Sequence, residues 1–197
     1  MTSDSGTASV LGLETVKGQN IILLSKADLK TRLERSNPAL KKIEISKKYP
    51  RSLDIYVESD SPTAAVAADR GYLILNSEGK IITKTEKKPD DLVEILYYQK
   101  LNRALFETGD RLEYEDLLQA LAIFKKITDI GLNPDTIDIN GVDMIAFKQD
   151  KRRIIFSSEK SIERQYHEME IIIKEFKVQG KEFRELDLRF DRPVVKF

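Results

Sequence analysis

Two stretches in the first third of the chain alternate apolar and polar residues with a period of two. In the first, Ile43 and Ile45 oppose Lys42, Glu44 and Ser46; in the second, Leu53, Ile55 and Val57 oppose Asp54, Tyr56 and Glu58. Such alternation predicts half-buried strands. The short link Lys48-Tyr49-Pro50-Arg51-Ser52 suits an antiparallel hairpin. Just upstream, Ser25-Lys26-Ala27-Asp28 has the form of a capping box, with Asp28 near the positive helix end. A short helix is therefore predicted, with Leu29 and Leu33 on one face and Asn37-Pro38 as its stop. Helix and hairpin make a small α+β unit ending near Pro62.

The pattern then changes. Residues 72–75 and 80–83 read as a second hairpin joined by Asn76-Ser77-Glu78-Gly79, in which Gly79 can take a left-handed conformation. A polar break, Lys87-Lys88-Pro89-Asp90-Asp91, precedes residues 92–105, which fit a strand or a helix equally. From Tyr114 onward, Leu117, Leu118, Leu121, Phe124 and Ile127 follow helical spacing, and Gly131 with Asn133-Pro134 ends that helix. Residues 136–139, 144–148 and 153–156 predict a three-stranded meander with turns at Asn140-Gly141 and Gln149-Asp150-Lys151. A second long helix is predicted over residues 161–177, with Ile162, Tyr166, Met169, Ile173 and Phe176 as its core stripe and Gly180 beyond its end. Residues 183–190 alternate again, Leu186, Leu188 and Phe190 against Glu185, Asp187 and Arg189, and predict a single closing strand before Pro193 and the apolar Val194-Val195.

Composition narrows the functional classes. With 41% hydrophobic and 34% charged residues among 197, the chain should fold throughout, as one large or two small domains. Lys+Arg and Asp+Glu both number 33, so the charge excess of a nucleic-acid binder is absent. The local basic groups Lys41, Lys42, Lys47, Lys48 and Lys151, Arg152, Arg153 fall on strand-like segments or turns, where a solvated face or hairpin tip accounts for them. The longest strongly apolar run, residues 21–24, is far below the roughly 20 residues that cross a bilayer. The opening Thr2-Ser3-Asp4-Ser5-Gly6-Thr7 lacks the basic and apolar regions of a signal peptide.

The reactive residues are few. Without cysteine there are no disulfides, thiolate nucleophiles or cysteine-held metals. The one histidine, His167, has no second imidazole for a triad or a metal site. Asp90-Asp91, or Glu113 with Glu115, would be the pairs for a carboxylate hydrolase, but loop solvation and the helix dipole explain both positions. No phosphate loop, nucleophile elbow or dinucleotide fingerprint is present. No enzyme, metal, cofactor or small-molecule substrate is expected. Attention moves to edges: a closing strand near the C-terminus could accept a strand from another chain, or lie inside the sheet with Phe190 in the core.

Two segments resemble a known family. Gly18-Gln19-Asn20-Ile21, the following helix, and residues 45–57 from Ile45-Ser46-Lys47-Lys48-Tyr49-Pro50 onward are similar to the POTRA domain of the bacterial cell-division protein family FtsQ/DivIB. Ser59-Asp60-Ser61-Pro62-Thr63-Ala64 keeps the family's proline and alanine and lacks its charged pair. Leu186-Asp187-Leu188-Arg189-Phe190 resembles the family's closing strand. The intervening order of hairpin, helix, meander and helix fits its β domain. The family's POTRA domain opens with a strand before the first helix, whereas residues 5–17 here are mostly polar and small. The chain is therefore expected to begin just inside that domain, after a transmembrane anchor.

The resemblance implies an α+β chain with a truncated POTRA domain over residues 1–66 and a mixed-sheet β domain with two packed helices over residues 67–197. It implies a non-enzymatic divisome scaffold, single-pass in the cell membrane through an N-terminal anchor absent from this chain, with this region extracytoplasmic. Its partners would be FtsB/DivIC-like and FtsL-like division proteins, the former added as a strand to the closing strand, with no nucleic acid bound. The family's partner-contacting arginine and aromatic fall on Arg189 and Phe190, followed by Asp191, and Val194 and Val195 continue the edge past Pro193. The alternative is a POTRA-bearing component of protein export or outer-membrane assembly, which would carry tandem repeats or a barrel.

Overall fold

A computed structural model describes residues 10–50 and 52–197. The polar residues 2–7 and Arg51, part of the predicted hairpin turn, lie outside the described residues. The chain is α+β, with three α-helices and both antiparallel and parallel strand pairs among the described residues. It divides into two compact units, Met1–Ser61 and Pro62–Phe197.

In the first unit a 3-10 turn, Leu13–Val16, precedes helix α1, Lys26–Ser36. The predicted cap is present: Ser25 Oγ accepts the Asp28 N–H at 3.3 Å. At the other end the buried Asn37 replaces solvent for the last turn, donating from Nδ2 to the Leu33 carbonyl at 2.8 Å and to the Leu11 carbonyl at 2.9 Å. Strands β1, Leu40–Lys48, and β2, Ser52–Ser59, pair antiparallel with Ile43 opposite Val57 and Ile45 opposite Ile55. The helix packs Leu29 and Leu33 onto Ile43 and Leu24. One helix covers the two strands incompletely, so Ile45, Leu53, Ile55 and Val57 stay half-buried.

The second unit is built on a nine-stranded sheet in the order β11-β10-β9-β8-β7-β6-β3-β4-β5. Its first strand, β3 (Ala64–Ala67), is buried and pairs with β4 (Tyr72–Leu75) and β6 (Val93–Tyr97). The residue pattern ends the first unit near Pro62, the resemblance extends it to residue 66, and the pattern opens the new sheet at Tyr72. The second compact unit begins at Pro62, and the small side chains of Ala64 and Ala65 let β3 sit fully enclosed in its sheet. Strand β5 (Ile81–Thr85) closes the hairpin with β4, and Asn76 Oδ1 accepts the N–H groups of Glu78 and Lys80, both at 2.9 Å. Gly79 has φ 77°, and a Cβ there would come within 2.8 Å of Leu118 Cδ2 and 3.2 Å of the Leu112 carbonyl oxygen. The undecided segment 92–105 begins as strand β6 and ends in a 3-10 turn, Arg103–Leu105.

Helix α2, Glu115–Asp129, carries the chain from β6 to the parallel β7, Thr136–Ile139. Strands β8 (Ile145–Gln149) and β9 (Arg152–Phe156) complete the predicted meander. Helix α3, Ile162–Gln179, is a second crossover, from β9 to the parallel β10, Glu185–Asp187. Gly180 caps it with φ 62°. Leu117, Leu121, Met169 and Ile173 from the two helices join one core with Ile95, Ile137, Phe147 and Phe156 from the sheet. Phe147 and Phe156 meet edge-on with ring centroids 5.5 Å apart.

The start of α3 is tied to the end of β9 by one buried side chain. Gln165, 1% exposed, accepts the Ser157 N–H at 2.7 Å and donates to the Ser157 carbonyl at 3.0 Å. Neither backbone group has water available at that depth, so the amide is a structural requirement. Gln165→Met preserves volume and leaves both groups unpaired; a loss of about 2–3 kcal/mol in urea unfolding is expected, and an unchanged midpoint would refute the role.

Candidate functional site

Of residues 183–190, expected as one closing strand, only three form a strand, and a further strand follows beyond that range. β10 spans only Glu185–Asp187 and lies between β9, parallel, and β11 (Val194–Lys196), antiparallel. Leu186 and Leu188 are fully buried and Asp187 is 5% exposed. The period-two pattern was real but its polar member does not face solvent, so the segment assigned as the docking edge is internal at β10. The sheet's C-terminal edge is β11.

Asp187 explains how the chain leaves the sheet. Its Oδ1 accepts the backbone N–H of Arg189 at 3.1 Å, an Asx turn that ends β10. The Arg189 guanidinium folds back in a fork, Nε to Oδ1 at 3.0 Å and Nη2 to Oδ2 at 2.7 Å. Burial pushes the Asp187 carboxyl up, but the side-chain and backbone bonds from Arg189 outweigh it and hold the group below the usual carboxylate range. Arg189 is raised by the same pair.

The five residues singled out from sequence thus separate by role. Arg189 is spent on Asp187. Phe190 is 53% exposed, with the Arg189 guanidinium 5.8 Å from its ring centroid. Asp191 reaches Lys160 Nζ at 3.0 Å, and that contact holds its carboxyl below the usual range. Val194 and Val195 sit on the edge strand itself, Val194 exposed and Val195 half-buried opposite Leu186.

The polarity of the β11 edge follows from its pairing. The Lys196 carbonyl accepts the Arg184 N–H at 2.8 Å, so residue 196 turns its backbone groups toward β10. Its neighbour Val195 then turns its N–H and C=O outward, as do residues 193 and 197. Residue 193 is proline and offers no donor. The open ladder therefore supplies donors at Val195 and Phe197 and an acceptor at Pro193 and Val195. Phe197, 65% exposed, leans on Phe176 of α3 with centroids 5.8 Å apart, extending an aromatic rim beside the edge. Lys196 and Phe197 were not singled out from sequence; the Val-Val-Lys-Phe ending after Pro193 was the available signal.

Elsewhere, Tyr97, Tyr98 and Tyr114 line a shallow groove with Glu113, Glu115 and Asp116. Burial first, then hydrogen bonds to Tyr98 and Asp116, push the Tyr97 phenol up. Asp90 and Asp91 are exposed in the loop before β6. Among the described residues no group of three or more His, Asp or Glu converges on a position for a metal ion. No described helix is long and apolar enough to cross a membrane.

Residues 7–58 match the family model of the POTRA domain, FtsQ-type, which covers the first unit's helix and hairpin. The match is to the first unit, which is therefore similar to an FtsQ-type POTRA domain. No curated protein matches the chain.

Asp187 also makes stability pH-dependent. Its folded pKa lies below the unfolded value of about 3.9, so its contribution is complete above that pH and is lost as pH falls through the lower folded value. Arg189→Ala should cost about 2 kcal/mol at pH 7 and much less in strong acid; equal losses in thermal melts at both pH values would contradict the assignment.

Proposed function

We propose that this chain, with its FtsQ-type POTRA domain, is the extracytoplasmic part of a membrane-anchored divisome scaffold that receives an FtsB/DivIC-like partner, itself paired with an FtsL-like protein, as a strand added to β11. The observation that carries the reading is the open edge of β11: a short strand at the end of the sheet order, with outward backbone groups at Val195 and exposed apolar side chains at Phe190, Val194 and Phe197. Main-chain pairing would supply affinity and these side chains specificity. Aromatic residues beside an edge are the residue types that dominate binding energy when a partner covers them.

Pro193 restricts the register. A partner strand that demands a donor opposite residue 193 loses one ladder bond, so the preferred register pairs through Val195 and Phe197. Arg189 acts here as a positioning residue: by pairing with Asp187 it sets where Phe190 and β11 lie.

Val195→Pro removes the central outward donor, which is unpaired in the free chain. It should abolish binding of an FtsB/DivIC-type C-terminal segment in calorimetry while shifting the melting midpoint little. Phe190→Ala should weaken the same binding by about 1–2 kcal/mol. Wild-type affinity in Val195→Pro would sink the strand-addition reading.

A further inference from the structure

Two adjoining turns of the first unit hold apolar side chains out in solvent. In the turn before α1, Ile22 is 69% exposed and Leu23 83%, while the next residue, Leu24, is buried in the unit's core and anchors the turn. The end of β1 lies beside this turn, since Lys47 Nζ reaches the Ile22 carbonyl at 3.4 Å, and two residues on Tyr49 is 67% exposed. One exposed apolar side chain needs no explanation; three on neighbouring turns do.

The turn before α1 is built so that its side chains can leave water without stranding its backbone. Asn20 Oδ1 accepts the Ile22 N–H at 2.9 Å, and the Asn20 carbonyl accepts the N–H groups of Leu23 and Leu24, both at 3.1 Å. The Ile22 carbonyl has Lys47. Internal pairing of this kind is what an apolar medium demands of any backbone that enters it, and a turn that stayed in water could leave these groups to solvent.

The uncommitted charge around the turns is positive. Lys17 pairs with Glu14 at 2.9 Å and Lys48 with Asp54 at 2.6 Å, and Asp28 and Arg32 share one shallow recess beside Leu23. Lys26 is exposed and Lys47 half-buried, and neither forms an ion pair among the described residues.

We propose that Ile22, Leu23 and Tyr49 form a membrane-docking tip that dips into the surface of a bilayer containing anionic lipids, with Lys26 and Lys47 meeting the lipid phosphates. The proposal rests on the reading of this chain as the extracytoplasmic part of a membrane-anchored protein, but it uses neither β11 nor a partner strand. Aliphatic side chains enter the acyl boundary, a tyrosine suits the headgroup level, and lysines beside an apolar tip are drawn to an anionic surface. A second copy of the chain fits worse, because a self-contact through this tip would set Lys26 and Lys47 against their own like charges. So small a tip binds weakly by itself; it acts as a second signal beside an anchor and orients the unit.

The test mixes the full 197-residue chain, labelled with nitrogen-15, with vesicles of phosphatidylglycerol and phosphatidylcholine in equal parts, carrying a trace of nitroxide lipid. Paramagnetic broadening reads even a sparsely populated bound state. The amides of Ile22, Leu23 and Tyr49 should broaden first, and those of Val142 and Val178, whose side chains are 78% and 82% exposed in the second unit, should stay sharp. Ile22→Ser/Leu23→Ser should cut the bound fraction about tenfold with the melting midpoint unchanged. Lys26→Gln/Lys47→Gln should weaken docking on these vesicles and not on phosphatidylcholine alone. Val195→Pro should dock as the parent does, so that failure of the tip and failure of the β11 edge are separate results. No broadening, uniform broadening that includes Val142 and Val178, or an undiminished effect in Ile22→Ser/Leu23→Ser would each overturn the proposal. So would self-association without lipid, seen in sedimentation and lost in that variant, which would make the tip a contact between copies.

Discussion

A carboxylate placed inside a sheet has to find a partner, and the one at Asp187 organises the whole C-terminal end of this protein. β10 is covered on one side by β9 and on the other by β11, so its polar member is taken out of water with its apolar ones. The guanidinium of Arg189, two residues on, is the compensation, and it reaches Asp187 only if the backbone turns. That turn ends β10 after three residues, swings Phe190 into solvent, and returns the chain as β11. The site proposed for a partner strand is thus a by-product of satisfying a buried charge.

Behind this edge the second unit is held by two crossovers, β6-α2-β7 and β9-α3-β10, whose helices share one apolar core. Crossovers of this kind need parallel neighbours, which fixes β10 beside β9 and leaves β11 with only one neighbour. The buried amide of Gln165 sets the start of α3 against the end of β9, and so fixes the origin of the second crossover. The edge presented by β11 is therefore already formed on a packed core, which lowers the ordering cost that a docking strand would otherwise meet. At β11 the available groups are main-chain donors and acceptors flanked by apolar side chains, which suit an extended segment and tolerate variation in its sequence.

Local chemistry by itself determined the elements whose signals are local. The Ser25 cap, the Leu29/Leu33 stripe, the Ile43–Ile45 and Leu53–Val57 alternation, the Asn76–Gly79 turn and both long helices are written in residues a few positions apart. The similarity of the first unit to an FtsQ-type POTRA domain was legible in the same way, and the family match bears it out. Three things were not legible. Ala64–Ala67 carries a single β-branched residue, Val66, and is a strand because it pairs with β4 on one side and β6 on the other. Segment 92–105 fitted two periods equally, and pairing with β3 and β7 selected the strand. Residues 183–190 alternate as one strand would, yet only Glu185–Asp187 forms one, enclosed between β9 and β11, and the edge lies beyond at Val194–Lys196. Alternation reports which side chains share a face; only the tertiary structure decides whether that face, or the edge beside it, meets water.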